Sequence, residues 1–417
     1  MQVQVPYGHS RVNLNVEADC EVVTPKEVEC GNETQIIIDA LEHPIGMPPF
    51  KDFCQEHSSI LFIVTDGTRP TPVAKLLEHL LPMVPDEVET SFMVANGTHR
   101  NPNEEELKRI FESYLESIRD KLYFNECRND DALRYLGTTS RSTLVRFNKR
   151  VINAEALVTI NNVKPHYFAG FTGGRKIFLP GVASWQTIEK NHSNATNPNS
   201  MTMALNGNPV HEDMEEAAKL LYHKPIFTLN TVVTGDHRLY SLSAGDLLEC
   251  FYDAVGRAKE VFTSPLRTKA SVVITANVPP MDISLYQSQH ALENCKHALA
   301  DGGVMILVSQ CRDGLGNPEY LEFLDNVENM EDVEQHLAEG YTLGDHKAAR
   351  IMQLRDRAEL WIVSDLPDEG AKRSKMKPYH DLQKALDEAL DLVREKGMPE
   401  RVLVLPNGGM TLPKPEE

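Results

Sequence analysis

Between residues 164 and 181 the chain reads KPHYFAGFTGGRKIFLPG. The stretch carries an imidazole (His166), a glycine pair (Gly173 and Gly174) and two adjacent cations, of which Lys176 is the second. A further imidazole, His192, follows sixteen residues after that lysine. Two shorter stretches offer related chemistry. DGTRPTP (66–72) presents Asp66, Thr68 and Arg69, and NGTHR (96–100) presents His99. Imidazoles titrate near neutrality and suit general acid–base work. Glycines let backbone N–H groups approach a ligand closely. Lys176 can neutralise a phosphate or, when desolvated, attack a carbonyl or thioacyl carbon. Arg69 can grip an anion with two parallel bonds. Pro70 and Pro72 stiffen the entry to a helix whose first N–H groups can also hold an anion.

Each residue also has a plainer use. A single loop histidine such as His99 is more often solvated than catalytic, and it gains chemical meaning only by sharing a rim with His166. His192, near the end of a short helical stretch, could simply meet the helix dipole. GFTGGRK has the wrong spacing, and lacks the Lys-Ser/Thr pair, for a Walker A loop. Tyr167, Phe168, Phe171 and Phe178 are expected to be core rings.

The elements that must position these residues alternate between strand and helix. SILFIVTD (59–66) is an apolar strand, followed by the helical pattern TPVAKLLEHLLPMV (71–84). TSFMVANGTHR (90–100) is a strand entering a loop, NEEELKRIFESYLESI (103–118) an amphipathic helix, and EALVTINNV (155–163) a strand running into the 164–181 stretch. This βαβ order predicts a mainly parallel sheet. Ligands of such sheets bind beyond the carboxyl ends of the strands, where all three loops sit. A second series starts near 270 with ASVVITANVPP and continues through LYQSQHALENCKHAL, GGVMILVSQC, ELWIVSDL and YHDLQKALDEALDLVREKG to RVLVLPNGG. The expected fold is therefore α/β. Two α/β domains are expected, 1–267 and 268–404, with the tail 405–417 returning to the first and the active-site cleft between them.

The 417 residues are too many for one ordinary core. A net charge of -19 argues against nucleic acid or an anionic membrane as partner, since both are polyanions. A local group of cations still allows a small anionic substrate. The N-terminal stretch does not read as a signal peptide, and no apolar run is long enough for a membrane span. Seven scattered cysteines without a C-x-x-C pair fit a reduced, cytoplasmic protein rather than a disulfide framework or a zinc site.

Taken together, these motifs resemble the nickel-pincer lactate racemase family, whose members are 2-hydroxy acid racemases and epimerases. The likeness runs from VPYG (5–8) to LPNGGMTLP (405–413) and includes Asn191-His192, NGNPVHED (206–213) and MDISLYQSQ (281–289). The resemblance implies a cofactor, a pyridinium-3,5-bisthiocarboxylic acid mononucleotide nickel complex. Its nickel is held by two sulfurs and a ring carbon, with a protein histidine in the fourth position. His192 takes that place, and Lys176 takes the place of the lysine that can join the cofactor. Asp66, Thr68, Gly173 and Gly174 are expected beside the cofactor with Lys176. His99 and His166 match the two acid–base histidines flanking the substrate. Arg69, Tyr286, Gln287 and His290 are expected to contact it.

The reaction implied is inversion at C2 of a small anionic 2-hydroxy acid by reversible hydride transfer, with cofactor-building enzymes as partners. Where lactate racemases carry a substrate-binding lysine, this chain has His290. With Gln289, that change points to a larger polar or sugar acid rather than lactate, with lactate racemase proper as the alternative. Two rivals stand beside it: a phosphate-ester enzyme using GFTGGRK as an anion loop, and a non-catalytic carrier of the nickel cofactor.

Overall fold

Short β-branched and aromatic runs become strands here, and the amphipathic runs between them become helices that cover the strands. The computed structural model describes residues 1–415 apart from Pro280 and Asn317. The chain divides into two compact units, one of residues 28–261 and one of residues 1–27 with 262–417.

In the 28–261 unit a six-stranded sheet runs Leu239–Gly245, Ile226–Val233, Ala156–Asn162, Ser59–Thr65, Glu89–Ala95, Leu122–Phe124. All neighbours are parallel except the first pair, an antiparallel hairpin. The interior strands Ala156–Asn162 and Ile226–Val233 are buried along their whole length, as strands covered on both faces must be. Phe62 and Phe92 stack across adjacent strands with ring centroids 5.2 Å apart. The 226–233 and 239–245 hairpin was not among the expected strands. The turn between them, TGDHR, includes His237 at a φ of 64°.

The other unit holds an all-parallel sheet in the order Lys377–Tyr379, Glu359–Val363, Leu299–Val308, Ala270–Ala276, Arg401–Leu405, Asp19–Val22. Its last strand corrects the expected division of the chain, because residues 1–27 belong to this unit and not to 28–261. Asp19–Val22 pairs with Arg401–Leu405, and the Arg401 guanidinium bonds both Asp19, at 2.5 Å, and Glu21. The preceding hairpin, Gln2–Tyr7 with Ser10–Asn15, buries Val3, Val5 and Leu14 in the same core. The C-terminal strand Leu412–Pro415 also stays in this unit, paired with Thr263–Leu266, rather than returning to the first. Among the described residues no helix is long and apolar enough to cross a membrane.

Candidate functional site

Two adjacent parallel strands, in register from Ser59 with Glu89 to Thr65 with Ala95, deliver the first pair of groups. Beyond Thr65 the buried Asp66 folds its own loop. Its Oδ1 accepts the Thr68 hydroxyl at 2.6 Å and the Thr68 N–H at 3.2 Å, and its carbonyl accepts the Arg69 N–H at 3.2 Å. Beyond Ala95 the buried Asn96 ties down the second loop. Its amide donates to the His99 carbonyl at 2.9 Å and to the Asn125 carbonyl at 3.2 Å. The two loops meet where His99 Nδ1 lies 2.6 Å from Asp66 Oδ2. Burial pushes the Asp66 carboxyl up. The hydrogen bonds from His99 and Thr68 and the charges of His99 and Arg69 outweigh it and hold the group below its ordinary range. Asp66 was expected beside a cofactor; its carboxylate is bonded by His99 and Thr68. The His99 side chain keeps 55% of its surface exposed.

The third loop leaves the strand Ala156–Asn162 and is braced across its neck. Lys164 N–H donates to Thr172 Oγ1 at 2.9 Å, and the Thr172 N–H donates to the Lys164 carbonyl at 2.8 Å. Arg175 is fully buried and holds the loop from within, donating to the carbonyls of Ala169 at 2.7 Å and Gly173 at 3.2 Å, with its guanidinium 4.3 Å from the Phe251 ring centroid. Gly173 and Gly174 have φ values of 85° and 49°. A Cβ on Gly173 would stand 2.4 Å from Val163 Cγ2, and one on Gly174 would stand 2.8 Å from Phe251. The glycine pair is thus demanded by packing within the protein. The expected approach of the Gly174 N–H to a ligand is not what the structure shows, since that group donates to Asn230 Oδ1 at 2.9 Å. Tyr167, Phe168, Phe171 and Phe178 are buried core rings, as expected.

Phe168 ties the remaining groups together. Its ring centroid lies 4.6 Å from that of His166, 5.1 Å from that of His192 and 5.4 Å from Lys176 Nζ. His166 Nδ1 accepts the Ala169 N–H at 3.3 Å, which places the proton of the neutral ring on Nε2. Burial, with the charges of Arg69 and Arg175, drives the Lys176 amine well below its ordinary value. Burial, followed by the charge of Lys176, lowers His192 to about 3, against a bond to the Ile188 carbonyl that pulls the other way. His192 sits in the helix Trp185–Ser193, capped by Ser184. Its neighbour Asn191 is buried and donates to Asp213 Oδ2 at 2.7 Å and to the Val210 carbonyl at 3.2 Å. Asp213 in turn accepts from the hydroxyls of Thr139 and Thr143.

Lys176 and His192 therefore both lie against Phe168, and the charge of Arg69 is felt by Asp66, Lys164 and Lys176 alike. The first can attack a thioacyl or carbonyl carbon, and the second has a lone pair for a soft or borderline metal. Among the described residues no three His, Cys, Asp or Glu side chains gather as a metal cage.

In the other unit Tyr286, Gln287 and His290 lie on the helix Leu285–Cys295, and each keeps part of its surface exposed. Gln289, expected to add polarity for a substrate, is buried, and its amide donates to Tyr320 Oη at 3.0 Å. Sequence reasoning missed Lys347. It is buried beside Tyr286, with Nζ 3.4 Å from the ring centroid and 2.9 Å from the Tyr286 carbonyl, and burial brings it down to about 7. Nothing in the helical stretch around it set it apart. It also missed Lys164, whose place directly before Pro165-His166 was a usable signal.

The N-terminal domain of lactate racemase matches residues 7–203, and the C-terminal domain of lactate racemase matches 266–412. The lactate racemase of Thermoanaerobacterium thermosaccharolyticum is 30% identical over 97% of both chains. That of Lactiplantibacillus plantarum is 28% identical over 90% of both. The structure of the lactate racemase apoprotein from T. thermosaccharolyticum superposes with a TM-score of 0.90 and 28% identity, covering 99% of this chain and 100% of that one.

Proposed function

The chain belongs to the lactate racemase family, and on that premise we propose that it is an isomerase inverting C2 of a 2-hydroxy acid with a nickel-pincer nucleotide as cofactor. The observation that carries the proposal is the pairing of Lys176 and His192 against the Phe168 ring, with burial disfavouring the charged form of each, in the unit that also holds the Asp66–His99 pair. These donors fit the cofactor. His192 would hold its nickel, and Lys176 would take its thioacyl group, with Thr68, Gly173 and Gly174 in the loops beside it. When bound, the nucleotide supplies a reversible acceptor for the hydride on C2.

The chain's own residues do the rest. Arg69 holds the substrate carboxylate by a charge-assisted fork. Asp66 keeps the proton of His99 on Nδ1, which turns Nε2 into the base that takes the hydroxyl proton. His166 is the complementary group: charged, it returns a proton to the keto oxygen, and neutral, it takes one, so the two imidazoles exchange roles for the opposite enantiomer. Tyr286, Gln287 and His290 are proposed to contact the substrate beyond C2. His290 is a shorter, titratable donor, and it supports a polar acid larger than lactate, such as an aldonic acid. All seven cysteines are free, which supports a cytoplasmic setting.

The test is to make the protein alongside the cofactor-building enzymes, measure nickel, and follow a panel of pure 2-hydroxy acid enantiomers by chiral chromatography. Inversion of at least one acid by nickel-loaded protein is expected. Retained cofactor without inversion of any acid would instead support the carrier reading, and magnesium-dependent turnover without nickel the phosphate-ester one.

A further inference from the structure

Lys164 is a lysine for which the described residues provide no side-chain partner. Its backbone is pinned at both N–H and carbonyl by Thr172, so the side chain leaves the neck of the 164–176 loop in a fixed direction. Among the described residues its ammonium makes no hydrogen bond and no ion pair. The adjacent parallel strands that lead to the two loops pair Val64 with Ile160, and burial, followed by the like charge of Arg69, lowers the amine to about 8. The guanidinium of Arg69 likewise has no carboxylate bonded to it among the described residues. Asp66, whose carboxyl feels the charge of Arg69, is already bonded by His99 and Thr68. Two like charges that act on one another, with no anion bonded to either among the described residues, are unfavourable. Such an arrangement persists where a ligand brings the missing negative charge.

We propose that Lys164 and Arg69 together clamp the carboxylate of the hydroxy acid, which makes Lys164 a substrate-binding residue. The proposal rests on the hydroxy-acid function given above and adds a residue to it. A carboxylate between the two cations would be gripped on one oxygen by the lysine and by the arginine fork on the other. It would stand on the rim that also carries His99 and His166, so that C2 and its hydroxyl fall between the two imidazoles. The clamp carries a pH signature. Binding an anion favours the protonated amine, so affinity is full below about 8 and declines as pH rises through that value. The other titratable or charged groups of the three loops are Arg69, Asp66 with His99, Lys176 and His166. Only the titration of Lys164 is removed by changing Lys164 to arginine, which separates it from theirs.

Glycolate is a suitable probe, because it has the carboxylate and 2-hydroxyl of every candidate substrate but no stereocentre to invert. Its binding to the full-length protein is measured by calorimetry at pH 6.5 and pH 9.5, with and without the nickel cofactor. The variants are Lys164→Met and Lys164→Arg, each first checked for an unchanged melting temperature and circular dichroism. In the wild type, affinity is expected to be about tenfold or more weaker at pH 9.5. Lys164→Met is expected to bind about tenfold to a hundredfold more weakly at pH 6.5 and to lose the pH dependence. Lys164→Arg is expected to restore binding and hold it at both pH values, which a merely structural lysine would not do.

Equal affinity of wild type and Lys164→Met would overturn the clamp. So would Lys164-dependent binding of inorganic phosphate by a wild type that does not bind glycolate, since the site would then hold a phosphate. If glycolate binds through Lys164 and the loaded enzyme inverts no hydroxy acid, the clamp stands and the racemase function fails, so the two are separable.

Discussion

His99 Nδ1 lies 2.6 Å from Asp66 Oδ2, and the two residues end adjacent parallel strands. The carboxylate is held below its ordinary range, so it is ionised throughout the range in which an imidazole works. It therefore fixes the proton of His99 on Nδ1 and stabilises the ring once it is charged, as the acid of a catalytic triad does. Asp66→Asn keeps the size but removes the charge. In nickel-loaded enzyme we expect kcat to fall by about 10²–10⁴-fold with nickel content unchanged. Because the pair acts as a unit, adding Asp66→Asn to His99→Ala should cost little more than His99→Ala alone. Additive losses in that double variant would show that the two residues work separately.

His99 and His166 are not equivalent in their hydrogen bonding. His99 meets a carboxylate through Nδ1, whereas His166 accepts a backbone N–H there. Neutral His99 is set to take a proton at Nε2, whereas His166 must first gain a proton before it can give one. Full inversion needs both, so His99→Ala and His166→Ala should each abolish racemisation in both directions. The half-reaction should survive from a different enantiomer in each variant. Rapid mixing of each loaded variant with each pure enantiomer, followed by cofactor absorbance, reads this directly. Equal responses to both enantiomers in both variants would rule the histidines out as the two bases.

Much of this arrangement was legible in the sequence because it lies on parallel strands. Runs such as SILFIVT (59–65) and ALVTINN (156–162) declare themselves by apolar continuity, and the residues after them must fall at the same sheet edge. The Asp66–His99 bond was not legible. It depends on the register of two strands and on the turn that Asn96 imposes, neither of which leaves a local pattern. Gly173 and Gly174 were recognised as special, but the neighbours that exclude a side chain there, Val163 and Phe251, left no local pattern. The place of residues 1–27 was missed for a similar reason. A strand that closes a sheet nearly 400 residues away in sequence is specified by partners such as Arg401, and nothing near it in the chain reveals them.

His192 should be the protein's point of attachment for nickel, and its aim depends on the residue beside it. Asn191 is tied to Asp213 and to the Val210 carbonyl, which fixes the end of the helix Trp185–Ser193. His192→Ala should lose turnover and most of its nickel after gel filtration while melting near the wild-type temperature. Asn191→Ala should retain an intermediate amount of nickel, since the imidazole is present but less well held, at a stability cost of about 1–3 kcal/mol for the buried carboxylate left short of a donor. Full nickel in His192→Ala would move the metal ligand elsewhere.

Acid should unfold the protein through its buried histidines before it protonates the carboxylates. His211 is 2% exposed and lowered to about 3 by burial and by the charge of Arg175. His192 stands at about 3 from burial and Lys176, and His297 at about 4 from burial and Lys296. All three lie below the value near 6.5 that an unfolded chain gives them. Between those limits the unfolded state binds more protons, so stability falls as pH falls, by up to about 1.4 kcal/mol per pH unit for each group. Glu293, held at about 2 against its burial by Lys296 and Arg350, adds to the same trend only below its ordinary range near 4.5. The exposed His380, raised by its bond to Asp368, works in the opposite sense at the surface. The window that isolates the histidines is therefore about pH 6.5 down to 4.5. Urea unfolding across that window should give a steadily falling midpoint, and His211→Gln should flatten the slope. A midpoint that stays level or rises between pH 6.5 and 4.5 would mean that these rings are protonated in the folded protein.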